Sequence, residues 1–116
     1  MIDKDNLPPP ADRRPSPRMR VLLSGIVVYG DGAYSFDCVF RNLSATGARI
    51  VASKGVQFPP EFFLINVRDR VAYDCKLAWN KGGEVGVSFK ATVSLSGITD
   101  PALAYLKKLW LAKAAY

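Results

Sequence analysis

Apolar positions along most of this chain fall in short runs that alternate with polar ones, the period of a β-strand. Between Tyr34 and Leu43, Phe36, Cys38 and Phe40 share one parity while Asp37, Val39 and Arg41 share the other, which predicts a half-buried strand. Upstream, Val21, Leu22 and Leu23 followed by Ile26, Val27, Val28 and Tyr29 form a β-branched run, interrupted at Gly25 and closed by a Gly30-Asp31-Gly32 turn. Downstream, Ala48 to Ala52 reads as a third strand. Phe58-Pro59-Pro60 marks a loop, and the run Phe62 to Val67 a fourth. Arg70 to Trp79 and Val85 to Phe89 are paired across a turn at Asn80 to Gly83. Six strands joined by Gly, Asn and Pro turns predict a mostly β fold, a small antiparallel barrel or sandwich.

Both ends differ from this texture. Residues 1–18 contain Pro8, Pro9, Pro10, Pro15 and Pro17, a density that opposes helix and central strand and favours extended chain. At the other end, Thr99-Asp100-Pro101 offers an N-cap followed by proline at the first helical position. Leu103, Leu106, Trp110 and Ala114 then recur at helical spacing, predicting a C-terminal helix whose Lys107, Lys108 and Lys113 suit its dipole. The boundaries read as a flexible tail over 1–12, a β domain with its arginine-bearing arm over 13–98, and the helix over 99–116.

Length and composition narrow the function. A chain of 116 residues with 49% apolar content supports one core. Its 16 Lys and Arg against 10 Asp and Glu leave +6, which favours an anionic partner such as a nucleotide, a nucleic acid or an acidic protein face. Histidine is absent, which excludes imidazole-based acid–base catalysis, the Ser-His-Asp triad and histidine zinc sites. Cys38 and Cys75 lack ligand spacing and sit in apolar runs, so they read as buried, reduced thiols. No cofactor, metal or enzymatic activity is expected. Met1 to Pro10 has no apolar core of a secretory signal, and no window approaches the ~20 apolar residues of a membrane span; the expectation is a soluble, cytoplasmic protein.

Two groups of residues carry recognition chemistry. Arg13, Arg14 and Arg18 lie on a segment stiffened by Pro15 and Pro17, and the guanidinium fork suits phosphate oxygens or the O6 and N7 of guanine. Taken alone, the same residues also fit a solvated basic tail. Asn42-Leu43-Ser44-Ala45-Thr46-Gly47 forms a turn between two strands, with Asn42 and Ser44 two apart and so on one face, and Leu43 on the other. Gly47 there permits positive φ or close approach of a ligand; ordinary turn chemistry is the competing explanation. Arg20 and Arg49 either add positive potential beside this turn or are plain solvated charges. Trp79 and Trp110 read as a core and a helix-docking aromatic.

Arg14-Pro15-Ser16-Pro17-Arg18 with Asn42-Leu43-Ser44-Ala45-Thr46-Gly47 resembles the RxxxR and [D/N]xSxxG signature of PilZ domains, in the family's order. Trp79 and Gly83-Glu84-Val85-Gly86-Val87-Ser88-Phe89 also resemble that family, so the likeness spans roughly residues 13–90. It implies a six-stranded antiparallel barrel, with a flexible N-terminal arm that closes over cyclic di-GMP on the barrel's outer face. By position, Arg14 and Arg18 would contact guanine and phosphate, and Asn42, Ser44 and Gly47 the other side of the ligand. Arg13 would bias the site toward a stacked pair of ligands. The family more often has aspartate at Asn42. The resemblance further implies a receptor that signals to a protein partner in motility or biofilm control. The alternatives are a ligand-free PilZ scaffold for protein contacts and a small basic barrel that binds nucleic acid.

Overall fold

The computed structural model describes residues 19–53 and 55–114. Six strands, β1 (Met19–Tyr29), β2 (Tyr34–Leu43), β3 (Gly47–Ala52), β4 (Glu61–Asn66), β5 (Val71–Lys81) and β6 (Glu84–Ser94), precede a short 3-10 turn at Pro101–Leu103 and a helix, α1 (Ala104–Ala114). The strands close into a barrel in the order β1-β2-β3-β6-β5-β4, every neighbouring pair antiparallel. The expected barrel and C-terminal helix are both present.

Two strands correct the sequence reading. β1 is not interrupted at Gly25 but runs through it. Glycine is needed there because a Cβ would stand 2.7 Å from the ring of Phe40 and 2.9 Å from Cys38 Sγ, so the barrel wall itself occupies that space. β6 continues past Phe89 to Ser94, where its side chains are mostly exposed and carry little apolar signal. Lys90 is the extra residue of a bulge in that extension, and its ammonium sits 2.6 Å from Glu61 and 3.4 Å from Asp74.

Apolar side chains collect in two cores. One fills the barrel and includes Val27, Cys38, Phe40, Ile50, Leu64, Tyr73, Cys75 and Val85. The other lies outside it, where α1 covers Ile26 and Val28 of β1, Ile65 of β4 and Ala72 of β5 with Leu106, Leu103 and Trp110. This second layer explains why Ile26-Val27-Val28 and Phe62-Phe63-Leu64-Ile65 are continuous apolar runs rather than alternating ones: both faces of those strands are covered.

The helix is tied down at several points. The Asp100 carboxylate accepts a hydrogen bond from the Ala102 amide at 2.9 Å, so the predicted cap opens a 3-10 turn and the α-helix starts three residues later. Trp110 Nε1 donates to the Val67 carbonyl at 3.0 Å, and Lys113 Nζ reaches Asp37 of β2 at 3.0 Å. Trp110 is therefore the docking aromatic the sequence suggests. Among the described residues no helix is long and apolar enough to cross a membrane, and no cluster of carboxylates and thiols is arranged to hold a metal.

Candidate functional site

Strand parity alone would point Asn42 into the barrel, because Phe36, Cys38 and Phe40 all face inward. A bulge prevents this. Phe40 pairs with Ile50 and Asn42 with Arg49, so Arg41 is an extra residue against β3; Asn42 is turned outward and Leu43 returns to the interior opposite Ala48. The same device operates on β5. Leu77 faces the core and pairs with Val87, while Trp79 pairs with Gly86, leaving Ala78 as the extra residue and Trp79 on the outside. This overturns the reading of Trp79 as a core residue: it is 39% exposed.

The two bulges build one ladder across the outer face. Arg20 pairs with Asn42, Asn42 with Arg49, Arg49 with Gly86 and Gly86 with Trp79, so these residues cross β1, β2, β3, β6 and β5 side by side. With its amide oriented to satisfy both groups, Asn42 accepts hydrogen bonds from Arg49 Nε at 3.0 Å and Nη2 at 3.2 Å. The Glu84 carboxylate lies 3.8 Å from Arg49 Nη1 on the other side. Arg49 is thus a held guanidinium, not a solvated charge. Trp79 lies over Gly86 so closely that any Cβ there would fall within its indole ring.

The turn between β2 and β3 is braced by its own serine. Ser44 Oγ accepts from the amides of Thr46 at 3.2 Å and Gly47 at 3.1 Å and donates to the Gly47 carbonyl at 3.2 Å, while the Ser44 amide also donates to that carbonyl at 2.9 Å. The Thr46 carbonyl receives the Phe89 amide at 2.8 Å, fixing the turn to β6. Gly47 serves a different purpose from positive φ. A side chain there would fall on the Val87 carbonyl oxygen, so glycine lets β3 approach β6.

Asn42, Ser44 and Gly47 lie together where β2 turns into β3, with Asn42 on the outer face and Ser44 and Gly47 shaping the turn beside it. Arg13, Arg14 and Arg18 lie outside the described residues; in the chain, Arg18 directly precedes Met19, the first residue of β1. Arg20, Val21, Leu22, Arg41 and Arg49 line a cleft of about 280 Å3 on the same face. Such a surface presents guanidinium groups, an amide and an indole to a planar, anionic ligand, and has no nucleophile–base pair.

A PilZ domain family model matches residues 12–99. The chain belongs to the PilZ family. PilZ domains are binding and receptor modules that in general bind cyclic di-GMP. The match includes both halves of the PilZ signature, the arginine-bearing segment and the Asn42-to-Gly47 turn. No curated protein matches the chain.

Relative to the PilZ signature, four residues of this face go beyond it: Arg20, Arg41, Arg49 and Trp79. Arg49 was legible as either added positive potential or a solvated charge, and Trp79 only as a core aromatic, because period-two alternation carries no sign of the bulge that turns Trp79 outward. One signal was available. Phe36, Cys38, Phe40 and Leu43 cannot all be inward-facing unless an extra residue intervenes between Phe40 and Leu43.

Proposed function

We propose that this PilZ domain is a cytoplasmic receptor for cyclic di-GMP, with no chemistry of its own. The observation that carries the reading is the ladder Arg20–Asn42–Arg49–Gly86–Trp79, which begins on the strand that the arginine segment enters. Cyclic di-GMP has two phosphate charges, two guanine edges and flat bases. The face offers charge-assisted donors for the phosphates, fork geometry for guanine and an indole for stacking. Arg14 and Arg18 close over the ligand from the arm, and Arg13 adds a further charge and stacking face for a second molecule. Asn42 and the Ser44-braced turn form the fixed platform.

Ligand binding changes the arm's arrangement, and the reshaped surface is read by a protein partner. Isothermal titration of the full chain with cyclic di-GMP tests the reading. Saturable heat with the wild type, lost or weakened at least about a hundredfold in Arg14→Ala with Arg18→Ala, is the expected result, since each removes a charge-assisted contact. No heat with the wild type, or full affinity in the double variant, overturns it. Silence toward the dinucleotide combined with salt-sensitive binding to RNA would identify a basic nucleic-acid-binding barrel instead.

A further inference from the structure

The cleft on the outer face of β1 to β3 holds more positive charge than the family signature accounts for. Its lining comprises three arginines, Arg20, Arg41 and Arg49, with Val21 and Leu22, and no carboxylate. One acidic group among the described residues comes within salt-bridge distance of them: Glu84, 3.8 Å from Arg49. Among the described residues Arg20 and Arg41 have no acidic partner within salt-bridge distance. Their convergence follows from the fold: the register across Asn42 aligns Arg20 with Arg49, and the β2 bulge turns Arg41 to the same side.

Three like charges around one cleft repel each other, and an anion placed between them relieves that repulsion. A phosphodiester fits the cleft's chemistry: two non-bridging oxygens match the guanidinium fork, and the aliphatic wall of Leu22 suits an attached sugar.

We propose that Arg20, Arg41 and Arg49 form a phosphodiester pocket that belongs to the barrel itself and takes one phosphate of cyclic di-GMP, separately from Arg14 and Arg18 of the arm. The proposal rests on the receptor reading above. Affinity then depends on these three arginines as well as on Arg14 and Arg18.

The test is isothermal titration of the full chain with cyclic di-GMP at low and moderate salt, comparing wild type, Arg20→Gln, Arg41→Gln, the double variant and Lys108→Gln on α1. Near-ultraviolet circular dichroism of Trp79 and Trp110 checks that each variant keeps its fold. Glutamine retains hydrogen bonding and length but not charge. Each single pocket variant is expected to bind about tenfold more weakly and the double variant about a hundredfold, with a shallower salt dependence. Lys108→Gln is expected to stay within about twofold of wild type at moderate salt, because Lys108 is on α1 and lines no part of the cleft.

Wild-type binding with both single variants unchanged overturns the pocket and leaves the receptor reading standing. An equal loss in Lys108→Gln also overturns it, since net charge and not the cleft would then set affinity. A wild type that ignores cyclic di-GMP overturns both. Loss of affinity for a single-stranded RNA oligonucleotide, with none for cyclic di-GMP, assigns the pocket to nucleic acid and overturns the proposal.

Discussion

Asn42 fixes the side chain of Arg49 by accepting from two of its nitrogens, at 3.0 and 3.2 Å, so an uncharged amide positions the cation of the neighbouring strand. Asn42→Ala frees that guanidinium and removes the contact to the ligand proposed above. Affinity for cyclic di-GMP is expected to fall about tenfold or more in calorimetry, while the melting temperature changes little, because half-exposed hydrogen bonds contribute only about 1 kcal/mol each. Asn42→Asp retains the hold on Arg49 and should keep most of the affinity.

The contact between Trp79 and Gly86 predicts a second result. Gly86→Ala places a methyl where the indole lies, and the indole must swing off the sheet. We expect red-shifted tryptophan emission, weaker ligand binding and a loss of about 1–3 kcal/mol in urea denaturation, the usual cost of forcing atoms into a filled space. Trp79→Phe keeps an aromatic over Gly86 and should retain more affinity than Trp79→Ala.

Core thiols give a pH-dependent prediction. Burial, then the neighbouring Asp37 carboxylate, pushes the Cys38 thiol up to about 12, and burial pushes Cys75 up as well. The folded state therefore keeps these protons above the ordinary cysteine pKa of about 8.5. Their contribution to stability is complete below that pH and is lost as pH rises toward 12. The urea midpoint should fall above about pH 9, and fall less steeply in Cys38→Ala. Both thiols are buried and free, so a thiol reagent should label them only on unfolding.

Leu106 separates fold from function. It is the fully buried residue of α1 in the outer core, and Leu106→Ala should cost about 2–5 kcal/mol in urea denaturation. Ligand affinity at low temperature should stay within about twofold of wild type, because α1 covers Ile26, Val28, Ile65 and Ala72 and not the Asn42 ladder.

What the sequence conveyed and what it concealed differ for physical reasons. The bounds of β2 were legible because its alternation holds from Tyr34 to Phe40 and turn residues close both ends, and the barrel followed from strand number and turn chemistry. β1 was not, because a glycine read as a break was there to admit Phe40 and Cys38 from the next strand, a contact between residues distant in sequence. The signature residues Asn42, Ser44 and Gly47 could be located, but not their separate tasks. Ser44 uses its hydroxyl to brace the turn and Gly47 admits the Val87 carbonyl, which leaves Asn42 as the residue of the three whose side chain lies on the open face. Trp79 was misjudged because one inserted residue, Ala78, reverses facing, and composition does not register it.

Closure of the six strands has a consequence for how a signal leaves the molecule. Each described strand has a hydrogen-bonded neighbour on both sides over part of its length, so no described strand offers a whole edge onto which a partner could add a strand. A partner of the receptor proposed above would therefore meet mainly side chains: arginines, an indole and the exposed side of α1.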